Sequence, residues 1–333
     1  MDDQLRAIAD VLKEADGKLI EGVNAAARVW PTGFDTLDTY LSGGLRSGEL
    51  TLLGGPQGLG KTTFALQILR YAAMSGEAVI YFSYEHDAST VLERLIAIEA
   101  AEQAGIEAVS LRRIRESLEA SDGREGGLAD RLRNTVGGAE AVAAVQSYAD
   151  RLFVHRSSGT ETSVYTVRQV VDEARALTGL PPLIVVDYLQ KVFVPGGSEI
   201  EEERVTKIVE GLKDLALEVE VPVLAVVAAD KEGLIAGRRL RVHNLRGSSA
   251  LAYEADIVLI MNDKYDVVAR HHLVYDVGNA ERFRNWAVVT IEKNRSGLDK
   301  IDLEFRKRFE QGRFETAGNA VAEQLVDERV YVE

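Results

Sequence analysis

The sequence predicts an α/β fold with a mainly parallel central sheet flanked by helices, and the prediction rests on three features. Residues 55 to 62 read Gly-Pro-Gln-Gly-Leu-Gly-Lys-Thr between the apolar run Leu50–Leu53 and the helix-like stretch Thr63–Leu69. Further short runs, mostly continuously apolar, recur at Ala78–Ser83, Leu152–His155, Leu183–Asp187, Val223–Ala228, Asp256–Met261 and Ala287–Glu292. Continuous apolar runs suit strands covered on both faces, as in parallel sheets. The chain of 333 residues is 46% apolar, enough to bury a large core in one main domain.

Residues 1–30 read as a separate N-terminal helical extension, with Leu5, Ile8, Leu12 and Ala15 on one face, and residues 31–333 as the main domain. The stretch Trp30–Asp38 leads into Gly43-Gly44-Leu45, turn chemistry that marks entry to that domain. Between Ala100 and Asp150 the chain is rich in Ala, Glu, Arg and Gly, which reads as helices joined by a loop at Ser121–Gly127.

Composition narrows the function classes. No cysteine is present, so disulfides, thiolate metal sites and a cysteine nucleophile are excluded. No stretch approaches the ~20 apolar residues of a membrane span. The acidic N-terminus lacks the apolar core of a signal peptide, so a cytoplasmic protein is expected. A net charge of −14 argues against a surface that is basic overall, although it leaves room for a local basic channel.

Glycine spacing carries the chemistry. Gly55, Gly58 and Gly60 let backbone N–H groups turn inward around phosphate oxygens, and the following helix adds its partial positive N-terminus. The segment Gly55, Pro56, Gln57, Gly58, Leu59, Gly60, Lys61, Thr62 and Thr63 is therefore read as a P-loop that binds ATP. In such a loop Lys61 reaches the β and γ phosphates and Thr62 ligates Mg²⁺. A second carboxylate is expected at the end of a buried strand, and Asp187 closes Leu183–Asp187 as the second metal ligand. Glu85 lies just past Ala78–Ser83 on the edge that faces the nucleotide, where a general base would orient water.

Beyond the P-loop, the segments Thr32–Asp38, Phe82-Ser83-Tyr84-Glu85, Val186–Gln190, Leu245–Ala250 with Glu254-Ala255-Asp256, and Glu292–Gly297 appear in a fixed order. In this order, over roughly residues 30 to 315, they resemble the motifs of the DnaB-type replicative helicase motor domain. The Asp-Tyr-Leu-Gln and Lys-Asn-Arg-Ser-Gly segments are the specific ones. The P-loop and the Thr-Gly-Phe-Asp opening are shared with the wider RecA-like group, including RadA-like and KaiC-like ATPases. The resemblance implies a RecA-like ATPase that forms a ring, commonly a hexamer, with ATP at each subunit boundary. It also implies Glu85 as catalytic base, with Lys293 and Arg295 reaching the neighbour's γ-phosphate. An arginine supplied from another subunit can contribute ~10³–10⁵ in rate.

Two departures from that family bear on function. Where the family carries Ser-Gln and then a basic residue after its strand, this chain has Val227 and Ala228, then Ala229-Asp230-Lys231. An apolar side chain cannot report a γ-phosphate by hydrogen bonding. Residues 1–30 are also too short for the family's large primase-recruiting N-terminal domain; their helix either packs on its own domain or docks on the adjacent subunit.

Two loops are nucleic-acid candidates. Pro195–Glu203 carries Glu199, Glu201, Glu202 and Glu203, which repel phosphate. Lys231–Gly247 carries Lys231, Arg238, Arg239, Arg241 and Arg246, which either line a ring's channel or form a solvated basic loop. His271-His272 lacks a third ligand at metal spacing and reads as surface. Two functions follow: an ATPase acting on single-stranded DNA, or an ATP-switched assembly or regulatory module that binds a protein partner without unwinding DNA.

Overall fold

The structure, a computed structural model, describes residues 6–22, 24–120, 126–230, 235, 237–247, 249–274 and 277–328. Helix α1 spans Ile8–Ile20, followed by β1 (Val29–Trp30), α2 (Asp35–Tyr40) and β2 (Leu45–Arg46). Strand β3 (Leu50–Gly55) leads through the glycine loop into α3 (Lys61–Met74), then β4 (Val79–Ser83) and α4 (Ala88–Ala104). Three shorter helices, α5 (Leu111–Glu119), α6 (Leu128–Leu132) and α7 (Gly138–Gln146), precede β5 (Leu152–Arg156). Next come α8 (Val164–Thr178), β6 (Leu183–Asp187), α9 (Glu201–Val219), β7 (Val223–Ala228), α10 (Ala250–Glu254) and β8 (Ile257–Asp263). The chain closes with α11 (Lys264–Val267), α12 (His271–Val274), α13 (Val277–Arg284), β9 (Trp286–Asn294), β10 (Ile301–Arg308), β11 (Arg313–Phe314) and β12 (Asn319–Ala320).

The main sheet runs β11-β10-β9-β8-β3-β7-β6-β4-β5, with β12 on β10. From β8 to β5 all neighbours are parallel, whereas β9 and β10 add an antiparallel edge. Every strand expected from an apolar run is present. Alternation along the central strands divides the core into two layers, because successive side chains point to opposite faces. Val79, Tyr81, Leu183, Val185, Leu224 and Val226 pack with α3, α4 and α7. Ile80, Phe82, Ile184, Val186, Val223 and Ala225 pack with α8 and α9.

The Trp30–Asp38 segment is pinned to this core. Phe34 stacks on Phe64 of α3 with ring centroids 4.1 Å apart. The Asp38 carboxylate accepts the Thr32 N–H at 2.9 Å, which fixes the turn before α2.

Helix α1 buries none of its residues, and Ile8, Leu12, Leu19 and Ile20 are exposed; Leu5 lies outside the described residues. In the region of the expected Ser121–Gly127 loop, residues 121–125 are likewise outside them. Expected loop residues Glu201, Glu202 and Glu203 instead form the first turn of α9, where carboxylates favour the positive helix N-terminus. No helix among the described residues is long and apolar enough to cross a membrane.

Candidate nucleotide-binding site

The glycine loop leaves the carboxyl end of β3 and opens a cleft of about 570 Å³. Gly60 is held at φ 95°, and a Cβ there would lie 2.9 Å from the rings of Phe309 and Phe314. Only glycine fits that turn. The α3 N-terminus therefore faces the cleft, with Gly55, Gln57, Gly58, Gly60, Lys61, Thr62 and Thr63 among the lining residues. Pro56 and Leu59 take other parts. Leu59 is buried in the core, and Pro56 offers its carbonyl to Lys61.

Lys61 folds back, its Nζ donating to Gly55 O at 2.6 Å and Pro56 O at 2.8 Å. Burial pushes its ammonium down to about 8, while Asp187 and Glu85 favour the charged form. Two neutral carbonyl partners thus hold the cation that phosphate would take over. Thr62 Oγ1 donates to Asp187 Oδ2 at 2.7 Å, and the Tyr81 hydroxyl donates to the same oxygen at 2.8 Å. Burial and the adjacent Asp187 charge push the Tyr81 hydroxyl pKa well up, so it stays a donor. Thr62 and Asp187 present hard oxygen donors beside the phosphate cradle, a donor set that fits Mg²⁺. Glu85 enters the cleft from the end of β4 next to His86, whose imidazole is held below its ordinary value by burial and then by Arg94.

Lys293 and Arg295 lie elsewhere. Strand β8 pairs Ile257 with Thr51 of β3, and β9 pairs Asn294 with Ile257. The end of β9 therefore lies beside the start of β3, while the glycine loop leaves its far end. At ~3.3 Å per residue the two are about 16 Å apart along the strand. There Lys293 Nζ donates to the carbonyls of Ala252 (2.8 Å) and Tyr253 (3.0 Å). Arg295 pairs with Asp256 at 3.3 Å and donates to Tyr253 O at 2.5 Å. Both cations cap the last turn of α10, where the helix dipole favours positive charge. Neither reaches the cleft of its own chain.

A P-loop, a strand-end carboxylate and a distant basic turn on one parallel sheet are also what the chain shares with known proteins. Residues 30–315 match the model of the DnaB-like helicase C terminal domain. The chain belongs to that family. It is 30% identical over 296 residues to the replicative DNA helicase DnaB of Pasteurella multocida (strain Pm70), covering 87% of this chain and 56% of that protein. The chain thus spans about half the length of the curated relatives it matches. Among solved structures, an isolated ATPase domain superposes with TM-score 0.72 at 21% identity, covering 94% of this chain and 99% of that one. A DnaB-like replicative helicase, solved in a study of its interactions with primase, gives TM-score 0.69 at 21% identity, covering 94% and 68%. These likenesses establish the RecA-like α/β fold.

Within this family member, the basic segment differs from its sequence expectation. Arg239 is buried and pairs with Asp302, also donating to Thr290 Oγ1 at 2.9 Å. Arg241 pairs with Glu292 (2.7 Å) and Asp327 (2.5 Å). Those two are internal ties and not free cations of a loop, because each has a carboxylate partner brought from the antiparallel edge or the C-terminal segment. Arg238 approaches Glu328 at 3.6 Å, and Arg246 pairs with Glu201 at 2.8 Å while lining the nucleotide cleft. Lys231 lies outside the described residues. Among those residues no cluster of metal-ligating side chains is found, and His272 Nε2 accepts the Gln324 N–H.

Sequence reading missed Arg94, His86 and Phe309, which all line the cleft. His86 adjoins Glu85 and was within reach of a local argument. Arg94 and Phe309 carry no local signal, since α4 and the turn after β10 deliver them from elsewhere.

Proposed function

We propose that this chain is an Mg²⁺-dependent ATPase that works as a ring, with each active site completed by the neighbouring subunit, and that it acts on single-stranded DNA. The observation that carries this reading is the placement of Lys293 and Arg295 at the end of the sheet opposite the P-loop. A second copy can bring those cations to a nucleotide that their own chain cannot reach. A hexamer is the ring the family resemblance favours, and a cytoplasmic location goes with it.

In this reading ATP phosphates draw Lys61 away from the Gly55 and Pro56 carbonyls. Backbone N–H groups of residues 58–62 cradle the β-phosphate. Thr62 and Asp187 would hold Mg²⁺, which when bound neutralises charge between the β and γ phosphates. Glu85 orients the attacking water and accepts its proton. Arg295 and Lys293 of the adjacent subunit then stabilise the charge that spreads over the γ-phosphoryl oxygens.

The alternative, an ATP-switched module that binds a protein partner without unwinding DNA, draws support from the internal pairing of Arg239 and Arg241 and from the apolar Ala228 and Ala229 on the cleft wall. Two measurements test the proposal. Mg-ATP at ~100 times its dissociation constant should stabilise the fold by about 2.7 kcal/mol. Lys61→Ala should abolish that shift, and Glu85→Gln should keep it while slowing hydrolysis. A melting temperature indifferent to Mg-ATP would end the ATPase reading; a hydrolysis rate indifferent to single-stranded DNA, at stated salt, would favour the protein-binding module.

A further inference from the structure

Arg94 stands almost two turns into α4, about 9 Å along the helix from Ala88. Side chains on a helix lean toward its N-terminus, so this long side chain returns to the cleft that Glu85 and Asp187 also line. Its neighbour Glu93 points away and pairs with Arg115 of α5 at 2.9 Å. Arg70 is held by Glu99 and Arg239 by Asp302, whereas among the described residues Arg94 forms no such pair. Its Nε is buried without a hydrogen-bond partner. An unanswered buried donor on a charged group is costly, and a guanidinium offers five donors in a planar fork suited to phosphate.

Charge in the cleft points the same way. Glu85 and Asp187 face a single P-loop cation, Lys61, and Arg246 is already answered by Glu201. Without Arg94 the cleft would carry net negative charge against an anionic ligand.

We propose that Arg94 is a further catalytic residue, contacting the terminal phosphate of the nucleotide from within the same chain. This rests on the ATPase reading above and deepens it. In the hydrolytic step the water oxygen bonds to the γ-phosphorus, the bond to the β–γ bridging oxygen breaks, ADP leaves with that electron pair, and the water proton passes to Glu85. Arg94 exchanges no atoms; it answers charge on the γ-phosphoryl oxygens. The cleft then holds one cation in place before assembly and receives Lys293 and Arg295 only on assembly.

Binding of ADP and of the non-hydrolysable β,γ-imido analogue of ATP, both with Mg²⁺, separates this role from the others. In Arg94→Ala the analogue should lose about tenfold or more in affinity, as expected for a charge-assisted hydrogen bond, while ADP stays within about twofold. Arg94→Lys should recover part of the lost preference, since it keeps the charge and loses the fork. Equal loss of both nucleotides overturns the proposal, as does an unchanged ratio, whether or not the nucleotide-free melting temperature falls. A wild-type protein that binds neither nucleotide sinks the ATPase reading and this inference with it. A wild type that binds both, with the ratio unmoved in Arg94→Ala, sinks the inference alone.

Discussion

The two edges of the parallel sheet hold their charges differently. At the carboxyl edge Lys61 is held by carbonyls of its own loop, and the Arg94 Nε has no partner. At the amino edge Lys293 and Arg295 are fully engaged, with the Ala252 and Tyr253 carbonyls and with Asp256, which also binds Lys213 at 2.7 Å and the Leu50 N–H at 2.8 Å. One edge is organised to receive an anion, and the other is stable without one. A site split across one sheet in this way ties its chemistry to assembly.

Removing the trans cation should have the strongest consequence. Arg295→Ala should lower the hydrolysis rate of the assembled protein by ~10³ or more. Mixing it with Glu85→Gln protein should restore part of the activity, because some interfaces then receive an intact half from each partner. Full activity in a verified monomer would contradict the division of labour between the edges.

Unfolding measurements separate the buried from the exposed members of the basic segment. Arg239→Ala leaves Asp302 and Thr290 facing a buried gap and should cost about 3 kcal/mol in urea unfolding. Arg238→Ala, whose partner Glu328 is exposed, should stay within about 0.5 kcal/mol. Comparable losses at the two positions would mean that Arg239 is not the tie described.

If Arg238 and Arg246 face nucleic acid in a ring, single-stranded DNA affinity should fall steeply with salt. Replacing both by Ala should then reduce the slope by about 1.4, at ~0.7 per phosphate contact. A slope unchanged in the double variant would remove these residues from any DNA path.

Acid stability should respond least. Burial holds the His155 imidazole below its ordinary 6.5, next to Ser157 Oγ at 3.0 Å and the Phe82 ring. As pH falls below 6.5 the unfolded chain takes up this proton before the folded one, so stability declines through that window. His155→Gln should flatten the fall in melting temperature between about pH 7 and pH 5, and an unaltered profile would assign the acid sensitivity to other groups.

Much of this molecule was legible because its signals are local. The P-loop spacing marked the phosphate cradle, and continuous apolar runs marked the buried parallel strands. Strand β10 escaped because Asp302, Glu304, Arg306 and Arg308 alternate with its apolar residues, a one-sided pattern unlike the runs that marked the others. The basic segment looked free for a related reason. Arg239 and Arg241 find Asp302, Glu292 and Asp327 at sequence separations of 51 to 86 residues, beyond any local window.

The order of amino acids was therefore enough to settle the fold class, the cradle for phosphate and the carboxylates Glu85 and Asp187 at strand ends, because backbone periodicity and glycine geometry act over a few residues. Which cations are spoken for, and which edge each occupies, was decided only in three dimensions. Strand order and register bring together residues far apart in the chain, and the energy of a buried charge depends on the partner found there.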